Sequence, residues 1–465
     1  MMLLPELFLL VFSIFFLFLS LGEKKVNIFP LARLLALIGL VVTFLSADAS
    51  GQLFSGAYRV DFFSQVFKCL LVTGLCLVVF MLEKNDDIED DFLPEFFMFL
   101  GFSTLGLLML VSSVELISIV ISLEISSFSL YVIVPLRKAQ SRLQLEAAVK
   151  YLFFGAIATG IMLYGMGFLY GMAHSTYLVD IMMRLPQFLT QPMGILALAL
   201  TLIAFFFKLS LFPLHFWAPD IYEGASNVTT AFIATVPKIA ATALLIRLTM
   251  LASSAPSALA LFLLLLAAFS MTMGNLVGLV QKDIKRLLAY SGIAHAGYLL
   301  MGILPLTRDG GAAAIYYMAV YLFMNLACFY VIILLSRQGG NVSVGALAGL
   351  AKRSPLLAFT LAVAAFSLAG IPPSGGFTGK LFLFVSAFKA GYLNIVLIGA
   401  VNAVISMFYY LNLVRMSYSR EAEEGQGAIP LAFHEKALCY VFNVIILYLG
   451  MMPFGIMNIF QRALS

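Results

Sequence analysis

Apolar residues in this chain run in long blocks rather than in the 3.6-residue or 2-residue alternation of a soluble amphipathic element. A helix crosses the hydrocarbon core of a bilayer with roughly 20 mostly apolar residues. About fourteen such blocks follow one another. They lie near residues 5–21, 29–46, 62–82, 96–112, 114–136, 147–171 and 193–212, then 226–250, 259–280, 284–304, 312–335, 356–388, 393–416 and 437–460. The first lacks a basic leading stretch and a small-residue cleavage site, so it is expected as a span and not as a signal peptide.

Composition agrees with that reading and excludes others. Of 465 residues, 62% are hydrophobic and 11% charged, against about 45–50% and about 25% in soluble proteins. A cytosolic enzyme, a disordered chain and a nucleic-acid binder with a basic face are excluded. The net charge is only +4. Cys69, Cys76, Cys328 and Cys439 all sit in apolar runs without paired spacing. They read as small buried hydrophobes, so neither a disulfide framework nor a redox centre is expected on this chain. His174, His215, His295 and His434 have no ligand spacing, and no metal site is expected.

Lysine and arginine in short loops set orientation. With the N-terminus outside, inner loops hold Lys24, Lys25, Arg33, Lys84, Arg137, Lys138, Arg142, Lys282, Lys285, Arg286, Arg337, Lys352, Arg353, Arg415, Arg420 and Lys436. Outer segments hold Arg59, Arg184, Arg247, Arg308, Lys389 and Arg462. Sixteen against six places both termini, Met1 and Ser465, outside. The acidic segment 83–95 falls inside and reads as a solvated loop.

Two blocks are interrupted. One carries Pro213 and Pro219; the other carries Pro372, Pro373, Gly375 and Gly376. Unwound backbone survives at membrane depth only where it is buried in protein or lines a wet cavity. Interrupted helices at matching places in two halves mark a transporter built from inverted repeats. The expected fold is an all-α membrane protein with two inverted five-helix repeats, each with a broken helix. The expected divisions are an N-terminal three-helix segment with its acidic loop (1–95), a first repeat (96–250), a second (251–420) and a C-terminal helix (421–465).

Glu124, Lys150, Lys208, Lys238 and Lys380 stand well inside apolar runs, with Glu115, Lys68 and Glu146 nearer span ends. A charged residue at a helix centre costs roughly 2.5–3.5 kcal/mol. Fold stability gives no reason to keep such a row, and a row of lysines with a glutamate suggests a proton or ion path. Lysine can serve because burial disfavours its charged form and a nearby carboxylate favours it again. Each residue has a plainer alternative: Lys150 could snorkel to the surface, Lys238 could partner an acid, and Glu124 could be a lone hydrogen-bonded carboxyl. Glu124 pairs better with Lys208 if their helices meet. Lys208 and Lys380 sit beside the breaks, with Lys380 at the outer end of the row. His295, among small residues in a span, is a core histidine or a proton relay; His215 lies in the first break.

The segments 114–133, 145–165, 207–240, 274–302 and 366–384 resemble the antiporter-like membrane subunits of respiratory complex I. The resemblance runs from about Asp61 to Met416. Within that family, PDIYEGAS (219–226) and the absence of a long lateral helix after the last span resemble the N-type branch of NADH-quinone oxidoreductase subunits, in its bacterial or plastid form. The resemblance implies that Glu124 is the partner of a central lysine, Lys208, and that Lys238 links toward the second half. It implies that Lys380 is the terminal lysine, that Glu146 and Lys150 form a further charged pair, and that His295 belongs to the same path. The segment IPPSGG (371–376) departs from the pattern and is expected to make the second break unusually loose.

The function so implied is proton translocation by a non-redox subunit of a complex I-type quinone oxidoreductase in the bacterial inner membrane. FMN, iron–sulfur clusters and quinone would lie on other subunits. The partners would be the other membrane and peripheral subunits, the lipid bilayer and protons, with no nucleic acid. A cation/proton antiporter of the Mrp type is the main alternative, and PDIYEGAS argues against it. A membrane scaffold without transport is a third reading, opposed by the lysines and the breaks.

Overall fold

The computed structural model describes residues 1–22, 27–83, 88–138, 142–251, 257–336, 339–419 and 427–464, without the side chains of 249–251, 257–259 and 419. Lys24, Lys25, Lys84, Arg337, Arg420 and Ser465 lie outside the described residues. In chain order the helices are α1 (Leu4–Ser20), α2 (Ile28–Leu45), α3 (Phe62–Met81), α4 (Leu93–Ser112), α5 (Leu116–Ile133), α6 (Arg142–Ala173), α7 (Leu178–Phe188), α8 (Pro192–Leu209), α9 (Trp217–Gly224) and α10 (Asn227–Leu251). They continue as α11 (Ser257–Gly278), α12 (Ile284–Ile303), α13 (Arg308–Ser336), α14 (Leu350–Arg353), α15 (Pro355–Ala369), α16 (Gly375–Lys389), α17 (Leu393–Ser419), α18 (Phe433–Met451) and α19 (Pro453–Ala463). An antiparallel hairpin, β1 (Gly51–Leu53) and β2 (Tyr58–Val60), joins α2 to α3.

This is a helical integral membrane protein. The apolar blocks become helices because a helix satisfies its own backbone where water is absent. Among the described residues, eleven helices are long and apolar enough to cross a membrane, and α1 and α15 are shorter apolar helices. Two local readings differ. The block 437–460 is divided at Met452, because Pro453 cannot supply the donor that would continue α18. The stretch between 171 and 193 holds α7, which buries Leu178, Ile181, Met182, Leu185 and Phe188. Asp180 and Arg184 interrupt its apolar run, so it does not read as a block.

The chain packs as two units. The first comprises Met1–Ser210, Gly224–Phe262 and Ala463–Ser465. Here α4 packs on α1 and α5, α6 on α8, and α3 on α2 and α10. Gly106 lets α4 and α5 approach closely, since a Cβ there would stand 2.6 Å from the Ser126 nitrogen. At the start of α3, Asp61 accepts from the Ser64 amide at 2.9 Å and receives both arms of Arg247 from α10, at 2.9 and 3.0 Å.

The second unit comprises Leu211–Glu223 and Leu263–Arg462. Helix α13, buried along nearly its whole length, packs on α12, α15, α16 and α18.

Both interrupted blocks are broken helices. Helix α8 stops at Leu209 with Ser210 left-handed, and α9 begins at Trp217. Helix α15 stops at Ala369 with Gly370 at φ 86°, a conformation that glycine takes without a Cβ clash, and α16 begins at Gly375. The second break is tied where looseness was expected. Gly376 N donates to Ser367 Oγ at 3.0 Å, Ser374 Oγ to the Ile371 carbonyl at 2.7 Å, and Thr378 Oγ1 to the Gly450 carbonyl at 3.0 Å.

Candidate functional site

In the first unit, Lys208 is the penultimate residue of α8 and is 5% exposed. Its ammonium takes no hydrogen-bond partner among the described residues and stands 5.8 Å from the centre of the Tyr151 ring on α6. Glu124 lies midway along α5, and its charge acts on Lys208. The two do not form a direct ion pair. Both converge on α6 instead, where Thr159 Oγ1 donates to Glu124 Oε1 at 2.6 Å. A buried ammonium without an acceptor is costly. Its charge is therefore held by one carboxylate at a distance, and anything that turns or protonates that carboxylate changes the hold.

Glu146 and Lys150, one turn apart on α6, form an ion pair at 2.7 Å with side chains 56% and 34% exposed. Lys238 is buried on α10 directly after Pro237.

In the second unit, Lys380 lies within the second turn of α16 and is buried. Its Nζ donates to the carbonyls of Leu368 at 2.8 Å and Ala369 at 3.0 Å, at the broken end of α15. The last carbonyls of a helix have no intrahelical donor, so the ammonium satisfies two of them and meets the negative end of the helix dipole. The same Nζ stands 4.9 Å over the Tyr298 ring, and Tyr298 neighbours His295 with ring centres 6.2 Å apart. Both nitrogens of His295 are engaged: Nδ1 shares a hydrogen bond with Tyr317, and Nε2 shares one of 3.0 Å with Tyr410. Tyr410 in turn shares one with Ser291. Such a chain of exchangeable groups can pass a proton by switching donor and acceptor roles.

The residues of PDIYEGAS serve to fasten. Arg286 on α12 binds Asp220 at 3.0 Å and Glu223 at 2.7 Å, which ties α9 to the start of α12. His215, in the first break, is buried between the rings of Phe212 and Phe216, at 5.6 and 4.4 Å. Thr159, Tyr317 and Tyr410 were not marked by the sequence, because hydroxyl side chains are ordinary in apolar helices.

The family model described as NADH:quinone oxidoreductase/Mrp antiporter, TM, matches residues 113–406. A protein of Opitutus terrae named NADH-quinone oxidoreductase subunit N 2 is 44% identical over 97% of this chain and 95% of its own. A chain of respiratory complex I from Thermus thermophilus with bound aureothin matches with TM-score 0.82 and 31% identity, covering 98% of both chains. A chain of the Mrp complex from a Dietzia species has TM-score 0.86 at 19% identity, covering 99% of this chain and 96% of its own, a likeness of fold alone.

Proposed function

The chain belongs to the membrane-subunit family of NADH:quinone oxidoreductases and Mrp antiporters, and on that premise we propose that it translocates protons as a non-redox subunit of a complex I-type assembly. Electron transfer through FMN, iron–sulfur clusters and quinone takes place on other subunits and drives this one. The reading adopts two five-span repeats, 96–250 and 251–420, in the bacterial inner membrane with both termini periplasmic. Residue-level likeness favours the quinone oxidoreductase over the antiporter, since the Mrp resemblance is one of fold.

The observation that carries the proposal is the Lys208 ammonium, buried without a hydrogen-bond partner and supported at a distance by Glu124. Unit charges about 10 Å apart at an effective dielectric of about 20 interact by about 1.7 kcal/mol. That exceeds the roughly 1.4 kcal/mol of a tenfold change in equilibrium, so gain or loss of the Glu124 charge would change the proton equilibrium of Lys208 by about tenfold. In the second unit Lys380 accepts and releases a proton at the broken end of α15, with His295 and its tyrosines beside it. Glu146, Lys150 and Lys238 complete the set of exchanging groups.

Mass spectrometry of the gently solubilised native assembly tests the reading. Co-migration with quinone-reducing subunits, together with quinone-dependent proton uptake into inverted vesicles, is expected. A free chain that exchanges sodium for protons without those subunits would overturn it.

A further inference from the structure

The second unit holds two buried asparagines that the proton path does not use. Asn275 on α11 is fully buried, and Asn402 on α17 nearly so. Asn402 Nδ2 donates to the Ile398 carbonyl at 3.0 Å and to Thr272 Oγ1 at 3.2 Å. Asn275 Nδ2 donates to the Asn402 carbonyl and to Asn402 Oδ1, both at 3.1 Å. Asn275 Oδ1 accepts from the Tyr409 hydroxyl at 2.9 Å. Helices α11 and α12 close up beside this clamp. A Cβ on Gly274 would stand 2.6 Å from the nitrogen of Ala294, the residue before His295.

Backbone carbonyls, which only accept, fix the orientation of both amides. The Asn402 side-chain atom on the Ile398 carbonyl is therefore the nitrogen, and Oδ1 is left as an acceptor. The two Asn402 oxygens in turn hold the Asn275 nitrogen, so Asn275 presents Oδ1 to Tyr409. The single hydroxyl proton of Tyr409 is committed to that oxygen. Tyr409 and Tyr410 have rings 4.4 Å apart, and their hydroxyls are hydrogen-bonded. With the Tyr409 proton committed, Tyr410 is the donor in that bond. The Tyr410 oxygen must then accept from its other two partners, Ser291 Oγ and His295 Nε2. A neutral imidazole carries one N–H. With that proton on Nε2, Nδ1 accepts from the Tyr317 hydroxyl.

We propose that Asn275 sets the direction of the hydrogen-bond chain through His295, holding the imidazole in its Nε2–H tautomer with Nδ1 open toward Tyr317. Asn275 is thus a positioning residue that acts through two tyrosines. On the reading that His295 carries protons, exchange is confined to the Tyr317 face. The Tyr410 arm ends on an amide, which neither takes up nor releases a proton near neutral pH. Tyr317 lies against α16, where a Cβ on Gly379, the residue before Lys380, would stand 2.9 Å from its ring. The open nitrogen is coupled through Tyr317 to the helix that carries Lys380. Hydrogen bonds between membrane helices also serve as plain fastening, and the two roles differ in which bonds matter.

The test uses the full chain, its histidines labelled with a nitrogen isotope, reconstituted in lipid bilayers and read by solid-state NMR. The His295 signals are assigned by their loss in His295→Gln. The native chain should show His295 protonated on Nε2 and unprotonated on Nδ1. Asn275→Leu strips Tyr409 of its acceptor. Tyr409→Phe removes the committed hydroxyl, leaves the clamp in place and keeps the test open if the leucine variant does not fold. Each should lose much of the Nε2–H signal and gain Nδ1–H in its place. Thr272→Val removes one bond of the clamp but leaves the Ile398 carbonyl to orient Asn402, and should keep the native tautomer. Nδ1–H or a doubly protonated ring in the native chain would overturn the proposal. So would a tautomer unchanged by Tyr409→Phe, or one displaced as far by Thr272→Val. Proton uptake by the assembled His295→Gln complex is scored apart: native pumping there would remove His295 from the path and leave the tautomer result standing.

Discussion

Lys380 Nζ donates a 2.8 Å hydrogen bond to the carbonyl of Leu368, across the second helix break. A second bond, to Ala369, is 3.0 Å long. An ammonium has three N–H donors and a neutral amine has two, so the side chain can lose its proton and still satisfy both carbonyls. The cap of the broken helix and the proton carrier can therefore be one group without the fold depending on its charge.

Replacements at Lys380 separate the two roles. Lys380→Arg keeps donors for both carbonyls but does not release a proton, since its pKa exceeds 12. It should assemble normally and lower proton uptake on the order of 100-fold, the usual scale of one acid–base group. Lys380→Glu offers no donor and places a negative charge at the negative end of α15. It should lose assembled complex as well as pumping. Uptake into inverted vesicles, normalised to assembled complex, distinguishes them; wild-type pumping by the arginine variant would take Lys380 out of the path.

For Lys208 the support is Coulombic, so charge should matter more than shape at Glu124. Lys208→Ala should abolish most coupled pumping with assembly intact. Glu124→Gln should lower pumping by about tenfold, while Glu124→Asp keeps the charge on a shorter arm and should keep part of the activity. Thr159→Val removes the hydroxyl that fixes Glu124 and should act in the same direction more weakly. A Glu124→Gln variant that pumps like the native chain would show that Lys208 does not rely on that carboxylate.

The sequence marked Lys208, Glu124 and Lys380 because charge inside an apolar block is rare and costly. It could not show that Lys380 caps α15, since a carbonyl has no residue type and the geometry exists only once the break has formed. Glu6, which pairs with Lys68 at 2.6 Å, passed unremarked because an acid in the first turn of a helix is ordinary, and Lys68 is more than sixty positions away in the chain. The blocks announced the spans, yet α7 and the hairpin were hidden. Each is short, mixes polar with apolar residues, and is fixed by packing.

Asp61 lies at the head of α3. Burial alone would raise its carboxyl, but the hydrogen bonds and charge of Arg247, helped by the Ser64 amide and Arg59, hold it below its ordinary 3.8. A depressed carboxylate contributes stability above the unfolded value and loses it as pH falls through the folded one. Arg247→Gln should thus cost about 1.5–3 kcal/mol near neutral pH. The gap to the native chain should narrow as pH drops from about 5 toward 3. Thermal unfolding across that range is the measurement, and a gap independent of pH would remove Asp61 as the cause.

The last expectation concerns sidedness. Backbone bridges join Ile88 to Arg137, Tyr58 to Ser113, and Glu115 to Tyr177. Each joins segments separated by two spans, so each pair must share a side of the membrane. The Asp61–Arg247 bonds join the start of α3 to the end of α10. They require an even number of crossings between those points, which α3, α4, α5, α6, the broken α8–α9 and α10 supply. The loop ends therefore fall into two sets, with Gln52, Asp61 and Arg247 in one and Glu89 and Arg137 in the other. On the proposed orientation, with Lys and Arg in excess in the inner loops, the second set faces the cytoplasm. Reporter tags or single cysteines at Glu89 and Arg353 should be reached only from the cytoplasm, and those at Gln52 and at the C-terminal Ser465 only from outside. Labelling of Gln52 and Glu89 from one side would show that α3 does not cross the membrane. A C-terminus labelled from the cytoplasm, with Gln52 still outside, would place an odd crossing after the hairpin, and the division of the block 437–460 at Pro453 would be the first place to look for it.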